Sequence, residues 1–480
     1  QNQSSAASDV YKRQIKITMN KVIFSVFVFV MFNIYSQIQV GQNLWGDNNN
    51  DRFGWSVALA NTDGTLAVGA PYADLNGSSS GLTRLYQFNG FIWQQRGTDI
   101  IGEAAGDQFG NCVDLNDDGQ IVVIGSEKNN NYSGHLRVYQ WQESFNDWVQ
   151  LGPDIDGSNN PEWFGHSCSI NSVGDIVAGG APFNDINGND IGLARVFIYN
   201  GSSWDQLGSD IYGENPGDHS GHSVSLSSDG YTLSVGAGHN SDVGFEVGHV
   251  RVYKFNGMNW IQVGSDIDGE GVNNDHFGYS NCISSDGEII AVGANSNFNP
   301  TTLAAGHVRV HENNGGSWTQ VGQDIDGLMN SENCGGDVSL SGDGSTLILG
   351  AVNNTTNGPW SGQARVYKFD GTSWIQFGVS INGLGPQDYM GYDTDIDRAG
   401  SKIAVGAITA SGSSGFSGLV QVYDITSTLG NDGEGINEEH PRNLIRIVDI
   451  LGRKTPFKPN TTLIYVYDDG STEKVFSVKY

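Results

Sequence analysis

The chain is poor in basic residues: 24 Lys plus Arg stand against 53 Asp plus Glu among 480 residues, a formal net charge of −29. Holding a phosphate backbone takes clustered cations, so nucleic acid is excluded as a partner. Charged residues amount to only 16%, so the polarity comes from Asn, Ser, Gly and Gln rather than from a disordered charge tract. Apolar residues, at 38%, are few for one compact core but enough for many thin sheets. The four cysteines show no Cys-x-x-Cys spacing, and neither a phosphate-binding Gly loop nor a metal-ligand His spacing occurs. What is abundant is glycine, 67 of 480 residues, about twice the usual share of ~7%. Glycine and asparagine in such quantity mean many turns.

Long apolar runs are missing except near the start. Residues 1–18 lack an initiator Met and read as a non-native extension, with Met19 as the expected start. Residues 19–36 combine Lys21, an apolar run from Val22 to Tyr35 broken by Ser25 and Asn33, and a small Ser36. That run is shorter than the ~20 residues of a membrane span and has the layout of a secretory signal peptide. The mature chain is therefore expected to be exported, with no transmembrane span, and to act as a monomer.

An internal repeat organises the rest. The phrase Trp-x-Gln-x-Gly-x-Asp-Ile-x-Gly starts at Trp93, Trp148, Trp204, Trp260, Trp318 and, slightly altered, at Trp374. A copy without Trp, Ile38-Gln39-Val40-Gly41, precedes them, so its glycine recurs at 41, 97, 152, 208, 264, 322 and 378. Each copy holds four short alternating segments, as in Phe277–Ile283, Glu288–Gly293, Gly306–Val310 and Trp318–Gly322. Period-two alternation and Gly or Asn punctuation make these strands. Asp-Gly pairs (Asp63-Gly64, Asp229-Gly230, Asp286-Gly287) join the first two, and Asn-Gly or Asp-Gly pairs (Asn89-Gly90, Asn200-Gly201, Asp370-Gly371) join several of the last two. Four antiparallel strands repeated seven times predict an all-β, seven-bladed β-propeller over residues 37–428. The chain opens on a fourth-strand phrase and the last copy stops after a third, Gly418–Tyr423, so the first strand is expected to close the seventh blade.

Phe53-Gly54-Trp55-Ser56-Val57 followed by Leu66-Ala67-Val68-Gly69-Ala70-Pro71, echoed by Phe164-Gly165 with Gly180-Ala181-Pro182, resembles the FG-GAP repeat of integrin-α-like propellers. The calcium loop of that family, Asp-x-Asp-x-Asp-Gly-x-x-Asp, is absent from every copy. The nearest fragments, Asp185–Asp190 and Asp74–Ser78, read as Asx turns rather than calcium sites, so no cofactor is expected, with calcium the open alternative. Gly430–Arg442 lacks any apolar period; residues 429–441 read as a linker. Within 442–480, Asp449, Gly452 and Arg453, then Tyr467, Asp469, Gly470, Glu473 and Lys474, sit in phrases that resemble a C-terminal sorting domain of the bacterial type IX secretion system. That resemblance implies an outer-membrane translocon as partner and a secreted or cell-surface destination; a β-hairpin appended to the propeller is the alternative.

Cys112, Cys168, Cys282 and Cys334 fall in or beside first strands of different copies. Buried free thiols are the expectation, with 112–168 and 282–334 as the pairings that export would permit. The Arg series (Arg84, Arg137, Arg195, Arg251, Arg309, Arg365) and the Asp series (Asp99, Asp154, Asp210, Asp266, Asp324) recur in nearly every copy and read as architecture, ion pairs across a hairpin. Seven acids two residues before the Phe-Gly position, Asp51, Asp107, Glu162, Asp218, Asp275, Glu332 and Asp388, either ring the channel mouth and attract cations or cap their own loops.

Recognition is expected where the repeats differ. The loops between second and third strands carry single aromatics, Tyr72, Tyr132, Phe183, Phe245, Phe298 and Trp360, with Trp163 on a neighbouring connection. Aromatic and amide side chains suit a sugar or an extended polypeptide, so the expected function is non-catalytic, adhesin-like binding of a glycan or protein. The alternative is a secreted polysaccharide hydrolase or lyase. Asp337 and Asp393, which break a first-strand Ser or Cys series, are its candidate carboxylates. His166-Ser167 and His222-Ser223 are not read as dyads, because neighbours on a strand point to opposite faces.

Overall fold

The computed structural model describes residues 37–426, apart from 159–160, 271–272, 298–303 and 413–414, together with strand segments at 34–35, 428–429, 444–448, 461–467 and 472–477. Within it, seven antiparallel four-stranded sheets form a propeller. The expected extension and all of the expected signal peptide but residues 34–35 lie outside the described residues, as does the linker from Gly430 to Pro441. Among the described residues, no helix is long and apolar enough to cross a membrane.

Blade 4 shows the plan. Its strands are Ser223–Leu226, Thr232–Ala237, His249–Phe255 and Trp260–Gln262, with Ile267–Asp268 resuming the last strand against the third. The first strand is innermost. The Asp-Gly turn after it has Gly230 at φ 76°, and the Asn-Gly turn before Trp260 has Gly257 at φ 95°, the left-handed backbone that glycine adopts without a Cβ clash. Buried apolar residues gather between consecutive blades rather than in one centre: Val224, Leu226 and Leu233 pack with Ile176 and Ala178 of blade 3. A modest apolar fraction therefore suffices, because each sheet shares both faces with its neighbours.

The repeated phrase is a lock between blades. The glycine where the fourth strand breaks has positive φ in every copy, from 68° at Gly378 to 80° at Gly208, and the Trp of the following blade lies against it. A Cβ on Gly208 would meet Trp260 Cδ1 at 2.8 Å. The indole N–H then donates to the carbonyl just before that glycine: Trp93 to Val40 (3.0 Å), Trp148 to Arg96 (2.9 Å), Trp204 to Leu151 (2.8 Å), Trp260 to Leu207 (2.7 Å), Trp318 to Val263 (2.8 Å) and Trp374 to Val321 (3.0 Å). At the seventh junction the copy without Trp supplies Gln37, whose amide donates to Phe377 O at 2.8 Å while its oxygen accepts from Val379 N–H at 3.1 Å.

Closure follows the expected course. Ile38 and Gln39 pair with Asp424 and Tyr423, and Leu44 and Trp45 with Val420 and Leu419, so the N-terminal segment is the outer strand of blade 7. The Arg and Asp series meet as expected in four blades, Arg84–Asp99 (2.6 Å), Arg137–Asp154 (2.8 Å), Arg195–Asp210 (3.2 Å) and Arg309–Asp324 (3.0 Å). In blade 4 Arg251 instead reaches Glu214 at 3.3 Å and Tyr212 O at 2.7 Å. In blade 6 Ser380 stands in the Asp position, and the fully buried Arg365 pairs with Glu332 at 3.3 Å.

The expectation of four free thiols needs correction. Cys112 and Cys168 form a disulfide, with Cα atoms 6.0 Å apart, while Cys282 and Cys334 are free. Inner strands of adjacent blades converge on the axis, which brings successive register levels within disulfide reach. Cys334 stands in the Phe-Gly position, well above Cys282, so the second pair does not meet. Outside the propeller unit, Leu444–Val448, Thr461–Tyr467 and Thr472–Ser477 form a three-stranded antiparallel sheet.

Deleting residues 37–46 removes the outer strand of blade 7 and the Gln37 lock, and exposes the edge of Leu419–Asp424. The melting temperature should fall by on the order of 10 °C, with self-association on size exclusion; unchanged melting would contradict closure by this strand.

Candidate functional site

The inner strands form the wall of an axial channel, and their side chains staple each blade to the next. At one level Ser56, Ser167, Ser223 and Ser280 donate to the carbonyls of Gly110, Gly221, Gly278 and Gly335, the glycine of the next blade's Phe-Gly position, at 2.9–3.0 Å. Two residues further in, Ser169, Ser225 and Ser339 accept from the N–H groups of Leu226, Ile283 and Ile396 at 3.1–3.3 Å. Inner strands are edge strands with unpaired N–H groups, and these side chains satisfy them.

Four staples are carboxylates. Asp114 accepts from Ile170 N–H (2.8 Å), Asp337 from Thr394 N–H and Oγ1–H (2.7 Å each), Asp393 from Val57 N–H (2.6 Å) and Asp395 from Leu59 N–H (2.6 Å). Desolvation dominates their protonation. It pushes Asp114 and Asp337 up to about 6 and Asp395 up to about 8, and, with the nearby Asp337 charge, raises Asp393 well above the carboxylate range. At neutral pH the channel therefore holds protonated carboxyls that can donate hydrogen bonds.

The channel opens on the loop face as a cavity of about 350 Å³ lined by the inner strands. At its other end, Arg398 of blade 7 crosses to Asp117 of blade 2 (2.6 Å), Ser228 of blade 4 (2.6 Å) and Ser285 of blade 5 (3.4 Å). Backbone bonds link the turns there in sequence, Asp117 to Ser172, Ser172 to Ser228, Ser228 to Ser285, Ser285 to Gly342 and Gly342 to Arg398, at 2.8–3.1 Å. The channel is thus a funnel stopped by a guanidinium.

The rim of the funnel is aromatic. The residue before each Phe-Gly position takes a left-handed backbone even without glycine, as at Trp163 (φ 56°), His219 (φ 52°) and His276 (φ 57°). It lies beside the second-to-third-strand loop of the preceding blade and the start of that loop in its own. A continuous arc results: Tyr132 stacks on Trp163 (5.9 Å), Trp163 meets Phe183 (4.6 Å), Phe183 His219 (4.9 Å), His219 His239 (4.5 Å) and His239 His276 (4.9 Å). Further in, His166, His222 and Tyr279 form a second line at 4.8 and 4.5 Å. His222, partly buried, is held neutral by desolvation and donates from Nδ1 to Tyr279 O, 3.0 Å away; His166 Nδ1 lies 2.7 Å from Glu127. Burial, then His219 and His276, lower His239 to about 4.

Among the sequence-derived candidates, Tyr132, Trp163 and Phe183 share this arc. Tyr72 belongs to another group, with Trp55 at 5.4 Å, Arg52 at 4.2 Å and Trp55 in turn on Tyr392 at 4.5 Å. Trp360 stands apart on blade 6, 47% exposed, and Phe245 is exposed beside the arc. Phe298 lies outside the described residues. The histidines of the arc were not among the expected site residues, although the position before Phe-Gly, compared across repeats, singles out His219 and His276.

The seven acids do not ring the mouth. All are buried, none lines the cavity, and each accepts backbone N–H bonds in its own connection, as Asp107 does from Ala104 (2.8 Å), Asp218 from Asn215 (2.8 Å) and Asp388 from Gly385 (2.7 Å). Asp51, Glu162, Asp275 and Glu332 bond likewise to Asn48, Ser158, Glu270 and Met329. Asn184, Asn297 and Asn354 add amide bonds to Glu162, Asp275 and Glu332 at 2.5–2.7 Å. Of the expected sorting residues, Tyr467, Glu473 and Lys474 lie on strands of the C-terminal sheet; Asp449, Gly452, Arg453, Asp469 and Gly470 lie outside the described residues. Asp337 and Asp393 do share the cavity.

Asp395 carries a proton in the folded protein that an unfolded aspartate, with a pKa of ~3.9, has lost. Its contribution to stability therefore falls as pH rises from about 4 to about 8. Asp395→Asn keeps an oxygen for Leu59 N–H and cannot ionise. Its melting temperature relative to the parent should climb by several degrees between about pH 5 and pH 9; a pH-independent difference would refute this assignment.

A family model, the FG-GAP repeat, matches residues 47–83, which span the first two strands of blade 1 and the beginning of its third. No curated protein matches the chain. The matched stretch contains the Phe-Gly position whose backbone geometry recurs in all seven blades, so blade 1 of this seven-bladed β-propeller is similar to an FG-GAP repeat.

Proposed function

We propose that the propeller is a non-catalytic, adhesin-like binding module that takes a glycan or protein ligand on its loop face. The observation that carries this reading is the arc from Tyr132 through Trp163, Phe183, His219 and His239 to His276. Rings at steps of 4.5–5.9 Å along a rigid rim offer an extended ligand successive apolar faces with polar edges. The loops supply amides and hydroxyls around them. A polysaccharide hydrolase or lyase is the second reading, favoured by Asp337 and Asp393 in one cavity. Against it, both carboxyls hold a backbone N–H of the next blade and so belong to the ring's own hydrogen bonding.

A screen of glycans and extracellular-matrix proteins, with and without chelator and beside a polysaccharide-hydrolysis assay, tests both readings. Trp163→Ala and Phe183→Ala should each weaken binding by at least about tenfold, the scale of losing a buried aromatic contact, while Trp360→Ala has a smaller effect. Turnover of any polymer would overturn the non-catalytic reading.

The protein is further proposed to be exported, by the segment 19–36 and then by a type IX translocon that reads the C-terminal segment. The Cys112–Cys168 disulfide supports an oxidising destination. The C-terminal strands belong to a compact unit separate from the propeller, which suits a segment read on its own by a translocon. Fusing residues 430–480 to an unrelated periplasmic reporter should carry it to the surface or medium of a host with that system. Retention in the periplasm, while the host's own cargo leaves, would reject the sorting role.

A further inference from the structure

Three positions of the repeat converge on the rim wherever two blades meet: the second residue after the second strand, a left-handed residue late in the following loop, and the residue before the next blade's Phe-Gly. At the junction of blades 4 and 5 they are His239, Glu246 and His276. His276 Nε2 lies 3.3 Å from Glu246 Oε2, and His239 Nδ1 lies 3.9 Å from the same oxygen. One ligand atom from each residue falls within 4.8 Å of the others. A tetrahedral zinc site with bonds near ~2.1 Å has ligand-to-ligand edges of ~3.4 Å, so both imidazole-to-carboxylate spacings stand close to such an edge, with the third tip-to-tip spacing within 4.8 Å.

The backbone holds them there. His276 N–H donates to Glu246 O (3.2 Å) and Asn274 N–H to Phe245 O (2.9 Å), which binds the loop of blade 4 to the start of blade 5. Glu246 N–H donates to Ser241 Oγ (3.0 Å), and Asp242 N–H to Asn240 Oδ1 (3.0 Å), which folds the loop on itself. Glu246 and His276 sit at φ 51° and 57°. Elsewhere the same scaffold pairs Ser79 with Gln108, and Trp360 with Tyr389, so this donor set arises where the repeat symmetry breaks.

Three other groups of imidazole and carboxylate are as close: Glu103–His135–Asp154, Glu270–His307–Asp324 and Glu214–Asp242–His249–Asp266. In each, a guanidinium already occupies carboxylates, Arg137 on Glu103 and Asp154, Arg309 on Glu270 and Asp324, Arg251 on Glu214. That positive charge opposes a second cation. Among the described residues, the ion partners of Glu246 are the two imidazoles alone.

We propose that His239, Glu246 and His276 form a binding site for a divalent first-row transition ion, of which Zn²⁺ is the best match, with at least one coordination position left for water or an oxygen ligand. Two imidazoles and one carboxylate are borderline donors that suit Zn²⁺ and disfavour Ca²⁺, which takes six to eight oxygens. The ion would fasten the loop of blade 4 to blade 5 at the end of the aromatic arc. The site stands on its own residues and does not depend on which ligand the arc takes.

Calorimetric titration of untagged, chelator-stripped full-length protein with Zn²⁺ tests this, with Co²⁺ as a spectroscopic probe and Ca²⁺ as a comparison. The parent should take one Zn²⁺ per chain at this site, show visible Co²⁺ bands of low-coordinate nitrogen and oxygen ligation, and melt higher with Zn²⁺. His239→Ala and His276→Ala should each weaken Zn²⁺ binding by at least ~30-fold and Glu246→Gln by at least ~10-fold, on the scale of lost metal ligands and their partners, and abolish the Co²⁺ bands. His166→Ala, in the separate inner line of rings, should change neither. Circular dichroism and thermal melts without metal establish that each variant folds; His239→Gln and His276→Gln replace any alanine variant that does not. Absence of stoichiometric Zn²⁺ binding, binding unchanged in both histidine variants, loss only in His166→Ala, or preference for Ca²⁺ would each overturn the site.

Discussion

The lock between the Trp of one blade and the bulge glycine of the blade before it is the contact on which the ring depends. It combines an indole packed on a position where no Cβ fits with a hydrogen bond to a carbonyl that the broken fourth strand leaves unpaired. A buried Trp truncated to Ala typically costs ~3–5 kcal/mol, and here five buried indoles and the half-buried Trp318 act in series around a closed ring. Gln37 reproduces the hydrogen bond at the seventh junction without the ring, which makes the closure polar where the other junctions are apolar. With the outer rim locked by indoles and the inner rim by Ser and Asp staples, the blades leave little freedom between them, and the funnel keeps its shape.

That rigidity explains why acidic residues serve several purposes. The seven acids before Phe-Gly are consumed by loop capping, most of the Asp series by arginines, and the four channel carboxyls by the N–H groups of neighbouring inner strands. Burial raises the channel carboxyls until they are wholly or partly protonated near neutrality, so the funnel carries less negative charge than its composition suggests. The groups left to face a ligand are rings, amides and imidazoles.

Much of the fold was legible because a propeller writes its architecture once per blade. Seven spaced glycines, the turn dipeptides and a fourth-strand phrase at the beginning of the repeat region predicted strand order, blade number and closure. The sequence also contained the Trp phrase in full, but not what the Trp touches, since its partner glycine lies one copy earlier, 51–54 residues upstream. Tyr132, Trp163 and Phe183 could be picked out as aromatic breaks in the repeat. Their junction with His219, His239 and His276 could not, because it joins positions from different blades whose side chains point to the rim only through the left-handed backbone before each Phe-Gly.

The amino-acid sequence by itself determined the all-β class, the seven blades, the closing strand and the Arg–Asp pairing of most third and fourth strands, all of which follow from local periodicity repeated at a constant interval. Only the tertiary structure decided which polar groups are free to act. It buried the seven acids, joined Cys112 to Cys168 while leaving Cys282 and Cys334 apart, stopped the channel with Arg398, and gathered histidines from blades 3, 4 and 5 onto one side of the mouth. The physical reason is convergence. Strands that are 55–58 residues apart in the chain approach one axis, and which side chains meet there depends on register and tilt, quantities that no single repeat encodes.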